Sequence, residues 1–202
     1  MNTITIEANA LKALMLFPSV KDVRYYLQCV HVETGPAGAR LTATNGHVLA
    51  AHFIRGEYEV SEGIVTSDLL ANALKIAGKV AKIEICIEAG PYRPFYTVLG
   101  LRAEAIDGKY PNTSQLFKLG EPSGMAAQFD PQYLAILAKA AKALGKPTRA
   151  HISHNGPENA ALVSFGRDDF NAIIIPMRSE SSGIVPAWAT MALTPPAVEQ
   201  AA

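Results

Sequence analysis

The sequence has 202 residues and carries 18 Lys and Arg against 18 Asp and Glu, so its formal net charge is zero. This balance excludes a whole-protein basic field for nucleic acid, and any contact with DNA has to come from a local arrangement of charge. Hydrophobic residues make up 49% of the chain and charged residues 18%, which predicts a packed core rather than a disordered chain.

The sequence also indicates the cellular compartment. We find neither a secretory signal at the N-terminus nor an apolar run long enough to span a membrane. Cys29 and Cys86 lie far apart inside strand-like runs, which favours two buried thiols over a disulfide framework. We therefore expect a cytoplasmic protein without membrane contact.

The first part of the chain predicts a strand, a helix and three further strands. Thr3–Glu7 alternates with the period of a strand, and Asn9 is a candidate N-cap for a helix over Ala10–Phe17. The Gly35–Gly38 turn and the Asn45-Gly46 dipeptide, a strong hairpin signal, separate the strands that follow. These strands are predicted at Tyr25–Glu33, Arg40–Thr44 and His47–Phe53.

The same pattern follows twice more, with a period of about 60 residues. The second unit has a strand at Gly63–Thr66, a helix over Asp68–Ala77 capped by Ser67, and strands at Ala81–Ala89, Phe95–Leu101 and Arg102–Ile106. The third has a strand at Met125–Phe129, a helix from Pro131 to Leu144 capped by Asp130, and strands at Arg149–Ser153, Ala160–Phe165 and Phe170–Ile175. Repeated β-α-β-β-β units predict an α+β fold in which helices cover one face of antiparallel sheets.

Three stretches stand out along the chain: DVRYYLQCVHVET at 22–34 with RLTATNGHVLA at 40–50, then AIDGKYP at 105–111, and finally IIIPMR at 173–178. Together, and in the same order, they resemble motifs of the bacterial DNA polymerase III β subunit family, the sliding clamp. Two positions depart from the family, which usually has Asp where Asn45 stands and a basic residue where Val48 stands. The resemblance implies a DNA-clamp-like fold with its sheets outside and its helices on one face.

The resemblance also implies a domain organisation. A clamp chain has three domains, each a pair of such units, whereas this sequence has three units. We therefore expect a complete clamp-like domain at 1–118, half a domain at 119–178 and a tail at 179–202. A ring built from such a chain would need more copies or an unusual interface, so a homo-oligomer is expected.

In the family, a hydrophobic groove binds short peptides of polymerases and clamp loaders. Apolar walls, an adaptable Met and a few polar tips suit such a peptide. Ordinary core positions of two packed sheets remain the alternative interpretation, because exposed and buried apolar side chains look alike in sequence. The positions that the resemblance implies are Leu27, Thr44, Gly46, His47, Val48, Leu49, Pro111, Leu116, Tyr133, Ile173, Ile174, Pro176, Met177 and Arg178.

The family binds duplex DNA without reading its sequence, through basic residues on the helices that face the ring's interior. Three lysines of the third helix share one face and are the strongest candidates here. A solvated helix face is the alternative. The candidate residues are Lys12, Lys75, Lys79, Lys139, Lys142, Lys146 and Arg149.

Enzyme chemistry has little support. His151 and His154 lie three apart in a predicted strand, so they point to opposite faces and one metal ion could not take both. His47 has no identifiable partner as a general base, and no phosphate-binding loop or nucleophile motif occurs. Asp168 and Asp169 alone do not make a metal site. We expect no catalytic residues, metal or cofactor.

Two functional hypotheses follow, with a third in reserve. The first is a non-catalytic clamp-like protein that binds duplex DNA non-specifically or tethers replication or repair proteins through its groove. The second is a peptide-binding adaptor, or clamp decoy, that does not encircle DNA. An unrelated α+β protein with another ligand is the third.

Overall fold

A computed structural model describes residues 2–119, 122–145, 149–178 and Ala189. Apart from Ala189, the predicted tail at 179–202 lies outside the described residues.

We call the three successive groups of elements unit 1, unit 2 and unit 3. Unit 1 comprises β1 (Asn2–Glu7), α1 (Ala8–Leu14), β2 (Cys29–Gly35), β3 (Gly38–Thr44) and β4 (Val48–Ile54). Unit 2 comprises β5 (Ser61–Thr66), α2 (Ser67–Ala77), β6 (Lys82–Glu88), β7 (Phe95–Val98) and β8 (Leu101–Glu104). Unit 3 comprises α3 (Pro131–Leu144), β9 (His151–Ser153), β10 (Ala161–Ser164) and β11 (Phe170–Ile174), with the segment that leads into α3. The expected α+β fold with antiparallel sheets is confirmed.

Units 1 and 2 exchange their first strands. β1 pairs with β6 in a four-stranded sheet of order β1-β6-β7-β8, and β5 pairs with β2 in a seven-stranded sheet. The registers correspond, because the last residue of each leading strand faces the first residue of the strand it joins: Glu7 faces Lys82, and Thr66 faces Cys29. Each unit therefore completes the sheet of the other.

Unit 3 joins unit 1 through one strand pair. β11 lies antiparallel to β4, with Ile173 opposite Leu49 and Ile174 opposite Val48. The seven-stranded sheet consequently runs β5-β2-β3-β4-β11-β10-β9. On the helical side, α1 contacts both α2 and α3. We call these three helices the helix layer.

The core lies between the sheets and the helix layer. In β1, Ile4 and Ile6 are buried while the alternate residues Thr3, Thr5 and Glu7 are exposed, as the period of a half-buried strand requires. Helices α1 and α3 bury small and branched side chains against each other, among them Leu11, Leu14 and Leu137. Short alanine-rich faces permit this close approach of the two helices.

Gly63 brings the two sheets together. A Cβ at this position would lie 2.5 Å from the Tyr96 hydroxyl and 3.0 Å from Cγ of Pro94. Tyr96, on β7, is 1% exposed, so it fills the space that a side chain at Gly63 would need. Only glycine allows this contact between the sheets without displacement.

Several local expectations are corrected. Residues Tyr25–Gln28 form a 3-10 turn before β2 rather than the start of a strand. Helix α1 begins at Ala8, so Asn9 lies inside its first turn and does not cap it. Thr66, one residue before the expected cap, accepts the N–H of Leu69. The turn between β7 and β8 lies at residues 99–100, where both residues have positive φ.

The expected strand at Met125–Phe129 is wrong. Among the described residues this segment pairs with no strand, although the helix after it begins as expected: Asp130 accepts the N–H of Gln132 and Pro131 occupies the first turn. An isolated extended segment has no ladder partner, and strand propensity alone does not supply one.

Candidate functional site

The β3–β4 hairpin ends in a three-residue loop held by its own side chains. The Asn45 Oδ1 accepts the backbone N–H groups of His47 at 2.9 Å and Val48 at 3.0 Å. The Thr44 hydroxyl donates to the carbonyl of Val48 at 2.8 Å and accepts the N–H of Gly46 at 3.0 Å. Gly46 has φ of 91°, a conformation that favours glycine. The loop is therefore fixed by local hydrogen bonds.

This hairpin forms one wall of a cleft of about 210 Å³. The chain before β2, the 3-10 turn at Thr113–Phe117 and the end of β11 form its other walls. Its volume falls below the range of about 300–1,000 Å³ of drug-sized pockets, so it suits one or two side chains of a peptide. The lining residues are Arg24, Leu27, Thr44, Gly46, His47, Val48, Leu49, Pro111, Thr113, Leu116, Ile173 and Ile175.

Nine of the fourteen positions expected in a groove line this cleft: Leu27, Thr44, Gly46, His47, Val48, Leu49, Pro111, Leu116 and Ile173. Tyr133 does not line it, but its ring stacks on that of His47 with centroids 4.9 Å apart. Burial raises the pKa of the Tyr133 phenol above its usual value.

The remaining four expected positions do not line the cleft. Ile174 is fully buried in the core, which corrects its assignment to a groove. Pro176, Met177 and Arg178 continue past β11, and Met177 donates its N–H to the carbonyl of Gln128 at 2.7 Å. The side chain of Met177 is exposed, outside the lining.

Three lining residues were not predicted from the sequence: Arg24, Thr113 and Ile175. Ile175 could have been found from the period of a strand. Residues 173 and 175 point to one face and residue 174 to the other, so Ile173 in the cleft requires Ile175 there and Ile174 in the core. No pattern in the sequence places Arg24 or Thr113 beside the hairpin.

A fixed positive charge stands at the rim of the cleft. Arg24 donates from Nε and Nη2 to the two carboxylate oxygens of Asp22, at 2.9 and 2.8 Å. These side-chain hydrogen bonds, with a backbone bond from Arg24, lower the pKa of Asp22 to about 2. The guanidinium is thereby oriented beside Gly46, where its remaining N–H groups can meet an acceptor in the cleft.

The helix layer carries most of the expected DNA-binding residues. Its helices contain four lysines and one acidic residue, Asp68, whereas the strands contain six glutamates and three Lys or Arg. Lys79 lies two residues after the end of α2, and Arg149 lies two residues before β9. Both are exposed, whereas Lys146 lies outside the described residues. The exposed lysines of the helices themselves are Lys12, Lys75, Lys139 and Lys142.

The two histidines that were considered as metal ligands, His151 and His154, have different surroundings. His151 is exposed on β9, and His154 packs on the ring of Phe129 with centroids 5.6 Å apart. Residues 2–119, 122–145 and 149–178 hold no cluster of three His, Cys, Asp or Glu that could bind a metal ion. None of the helices described is long and apolar enough to cross a membrane.

No protein-family model matches the sequence, and no curated protein matches it as a relative. Solved structures do match in fold. The β chain of DNA polymerase III from Streptococcus pneumoniae aligns with a TM-score of 0.69 and 14% identity, over 89% of this chain and 65% of that one. The β subunit from Streptococcus pyogenes aligns with 0.70 and 13%, over 89% and 66%. The sliding clamp of Pseudomonas aeruginosa, bound to griselimycin, aligns with 0.65 and 16%, over 88% and 66%.

These comparisons establish the fold. The chain has the sliding-clamp fold in a shortened form, because it spans about 65% of the length of the structures it matches. At these identities the likeness concerns architecture, and the roles of individual residues need separate arguments.

Proposed function

We propose that the chain is a non-catalytic, clamp-like protein that associates with duplex DNA through its helix layer. The observation that carries the proposal is the segregation of charge. A chain of zero net charge has four lysines and one acidic residue in the three helices of one layer. Phosphate oxygens bind such lysines without regard to base sequence, so binding would be non-specific and sensitive to salt. This role is carried out in the cytoplasm.

Fluorescence anisotropy of a labelled DNA duplex, titrated with the full chain at several salt concentrations, tests the proposal. The variant Lys139→Gln with Lys142→Gln removes two charges from α3. The control Lys109→Gln with Lys118→Gln removes two exposed charges away from the helices. The logarithmic salt slope should become shallower by about 0.9 for each phosphate contact that is lost.

We expect the α3 variant to bind more weakly and with a shallower slope, while the control resembles the unmodified chain. Equal losses in both variants would show that the helix layer has no special role. Binding of the unmodified chain that is absent, or unaffected by salt, would refute DNA association outright.

A second candidate function is a peptide-binding adaptor that does not encircle DNA. The observation that favours it is the cleft of about 210 Å³ with apolar walls and the oriented guanidinium of Arg24 at its rim. Side chains such as Leu or Phe would enter the cleft, and a peptide carboxylate would meet Arg24. Such a groove would hold short peptides of polymerases or loaders in the micromolar range.

A labelled short peptide containing leucine and phenylalanine probes this function. Leu116→Lys places a charge in the cleft at a side chain that is 40% exposed, so folding should be preserved. Leu99→Lys is the control, because Leu99 is equally exposed but lies at the β7–β8 turn. We expect loss of binding only in Leu116→Lys. Equal affinity of the two variants would place the peptide elsewhere, whatever the DNA experiment gives.

The exchange of β1 and β5 supports a domain organisation that we also propose. Residues 1–118 would form one complete domain, because units 1 and 2 complete each other's sheets. Residues 119–178 would form half of a second domain, attached through the β4–β11 pair.

A further inference from the structure

Units 1 and 2 each supply a first strand to the sheet of the other, and unit 3 has no such reciprocal strand pair among the described residues. In each of those units, the strand before the helix pairs with the first strand after the helix of the other unit. Unit 3 has the helix and the three strands, but the segment Met125–Phe129 before α3 forms no strand. We call Met125–Phe129 the leading segment and β9, the first strand after α3, the receiving strand. Among the described residues, neither has the partner that its equivalents in units 1 and 2 have.

The position of this segment matches that of β5 in unit 2. The carbonyl of Ile64, two residues before the N-cap Thr66, accepts the N–H of Ile106 at 2.9 Å. In unit 3 the carbonyl of Gln128, two residues before the N-cap Asp130, accepts the N–H of Met177 at 2.7 Å. In both units the donor follows the last strand. The segment is thus held where a leading strand belongs.

The receiving strand is available as well. β9 is the last strand of the seven-stranded sheet and pairs only with β10 within residues 2–119, 122–145 and 149–178. An open edge of this kind presents backbone N–H and C=O groups to another strand.

The fourth residue of each helix supplies an independent observation. This residue is leucine in all three helices, namely Leu11, Leu70 and Leu134. Leu11 and Leu70 are 0% exposed, whereas Leu134 is 36% exposed. Met125, at the start of the leading segment, is 61% exposed. An apolar face that is closed in the paired units is open in unit 3.

We propose that unit 3 binds unit 3 of a second copy of this chain by reciprocal exchange of Met125–Phe129. Each leading segment becomes a strand on β9 of the other copy. The interface is isologous about a twofold axis, because each copy gives and receives the same elements. The two copies together complete one domain of the kind that units 1 and 2 form within a single chain.

The internal pairs fix the register of this interface. Glu7 and Thr66 are the N-cap residues of α1 and α2, and they face Lys82 and Cys29, the first residues of the strands they join. In the same register, the N-cap Asp130 faces His151, the first residue of β9, in the second copy. One residue earlier the internal pairs are both apolar, Ile6 with Ile83 and Val65 with Val30. The corresponding pair across the new interface is also apolar: Phe129 with Ile152.

The exchange replaces contacts that the segment makes within its own chain. Gly156 donates its N–H to the carbonyl of Met125 at 3.1 Å, and Gly124 donates to the carbonyl of His154 at 3.3 Å. The N–H of Ala127 reaches the His154 Nδ1 at 3.2 Å. These bonds are few and lie at the long end of the hydrogen-bond range, whereas a strand pair supplies a continuous ladder.

Light scattering after size exclusion, over a range of concentrations, measures the mass of the full chain. Leu134→Lys places a charge on the open apolar face at a side chain already partly in water. Gln132→Lys is the control, because the matching residue in the paired unit 2, Asp68, stays exposed. We expect the mass of two chains for the unmodified protein and for Gln132→Lys, and a monomer for Leu134→Lys with an unchanged circular dichroism spectrum.

A cysteine pair tests the register. Gln128→Cys together with Ser153→Cys should give a disulfide-linked dimer on a non-reducing gel, and each single variant should not. A monomer at the highest soluble concentration would overturn the proposal. A dimer that persists in Leu134→Lys without a 128–153 cross-link would overturn it too, since it would use another surface.

Discussion

The side chain of Asn45 is expected to hold the hairpin loop that forms one wall of the cleft. Asn45→Ala removes the acceptor for two backbone N–H groups, at 2.9 and 3.0 Å. A hydrogen bond contributes about 0.5–1.5 kcal/mol net, and water can partly replace both bonds at this half-buried position. We therefore expect a loss of about 1–2 kcal/mol, near the lower end of the range for two bonds.

For a chain of this size, such a loss lowers the melting temperature by roughly 2–8 °C. Urea denaturation followed by circular dichroism measures the free energy of unfolding, with the slope on denaturant as a check that the unfolded state is unchanged. Asn45→Asp is the matched control, because its carboxylate keeps the acceptor. That variant should stay within about 0.5 kcal/mol of the unmodified chain. An equal loss in both variants, or none in Asn45→Ala, would refute the assignment of the acceptor role.

Two further predictions concern stability. Gly63→Ala should destabilise the fold by about 1–3 kcal/mol, because the new Cβ meets the buried Tyr96 hydroxyl, while Gly35→Ala, with open space around it, should be close to neutral in the same denaturation assay. Burial lowers the pKa of His52 below its usual 6.5, against the opposing effect of its Nδ1–H bond to the carbonyl of Asp169. Below pH 6.5 the unfolded chain binds a proton at His52 more readily than the folded chain does. The contribution of neutral His52 to the free energy of unfolding is therefore fully present above pH 6.5, and it is lost as the pH falls from 6.5 towards the lowered pKa of the folded state. Replacing His52 with Gln should flatten that fall, and an unchanged pH profile would contradict the argument.

The sequence was informative where local patterns carry the structure. The alternation in β1 and β6, the Asp130 cap with Pro131, and the turn at Asn45 led to correct elements, because each depends on neighbours in sequence. The Asn45 side chain offers the oxygen that the loop uses, and the Asp that the resembling family usually has at this position would offer one as well.

Positions that depend on distant neighbours were predicted less well. Ile173 and Ile174 look alike in sequence, yet one lines the cleft and the other is buried in the core. Met125–Phe129 has a strand-like composition but no strand beside it among the described residues. A pattern can show that a segment is able to pair, but it cannot supply the partner.

The three-unit pattern, the hairpin and the α+β class followed from the amino-acid sequence, because hydrophobic periodicity and turn chemistry act over a few residues. The folded structure was needed to reveal that β1 and β5 are exchanged between units 1 and 2 and that β4 pairs with β11. It also showed that four lysines lie in one layer of a neutral chain. Strand pairing and the packing of helices bring together residues far apart in sequence. The cleft and the open edge at β9 arise from those long-range pairings.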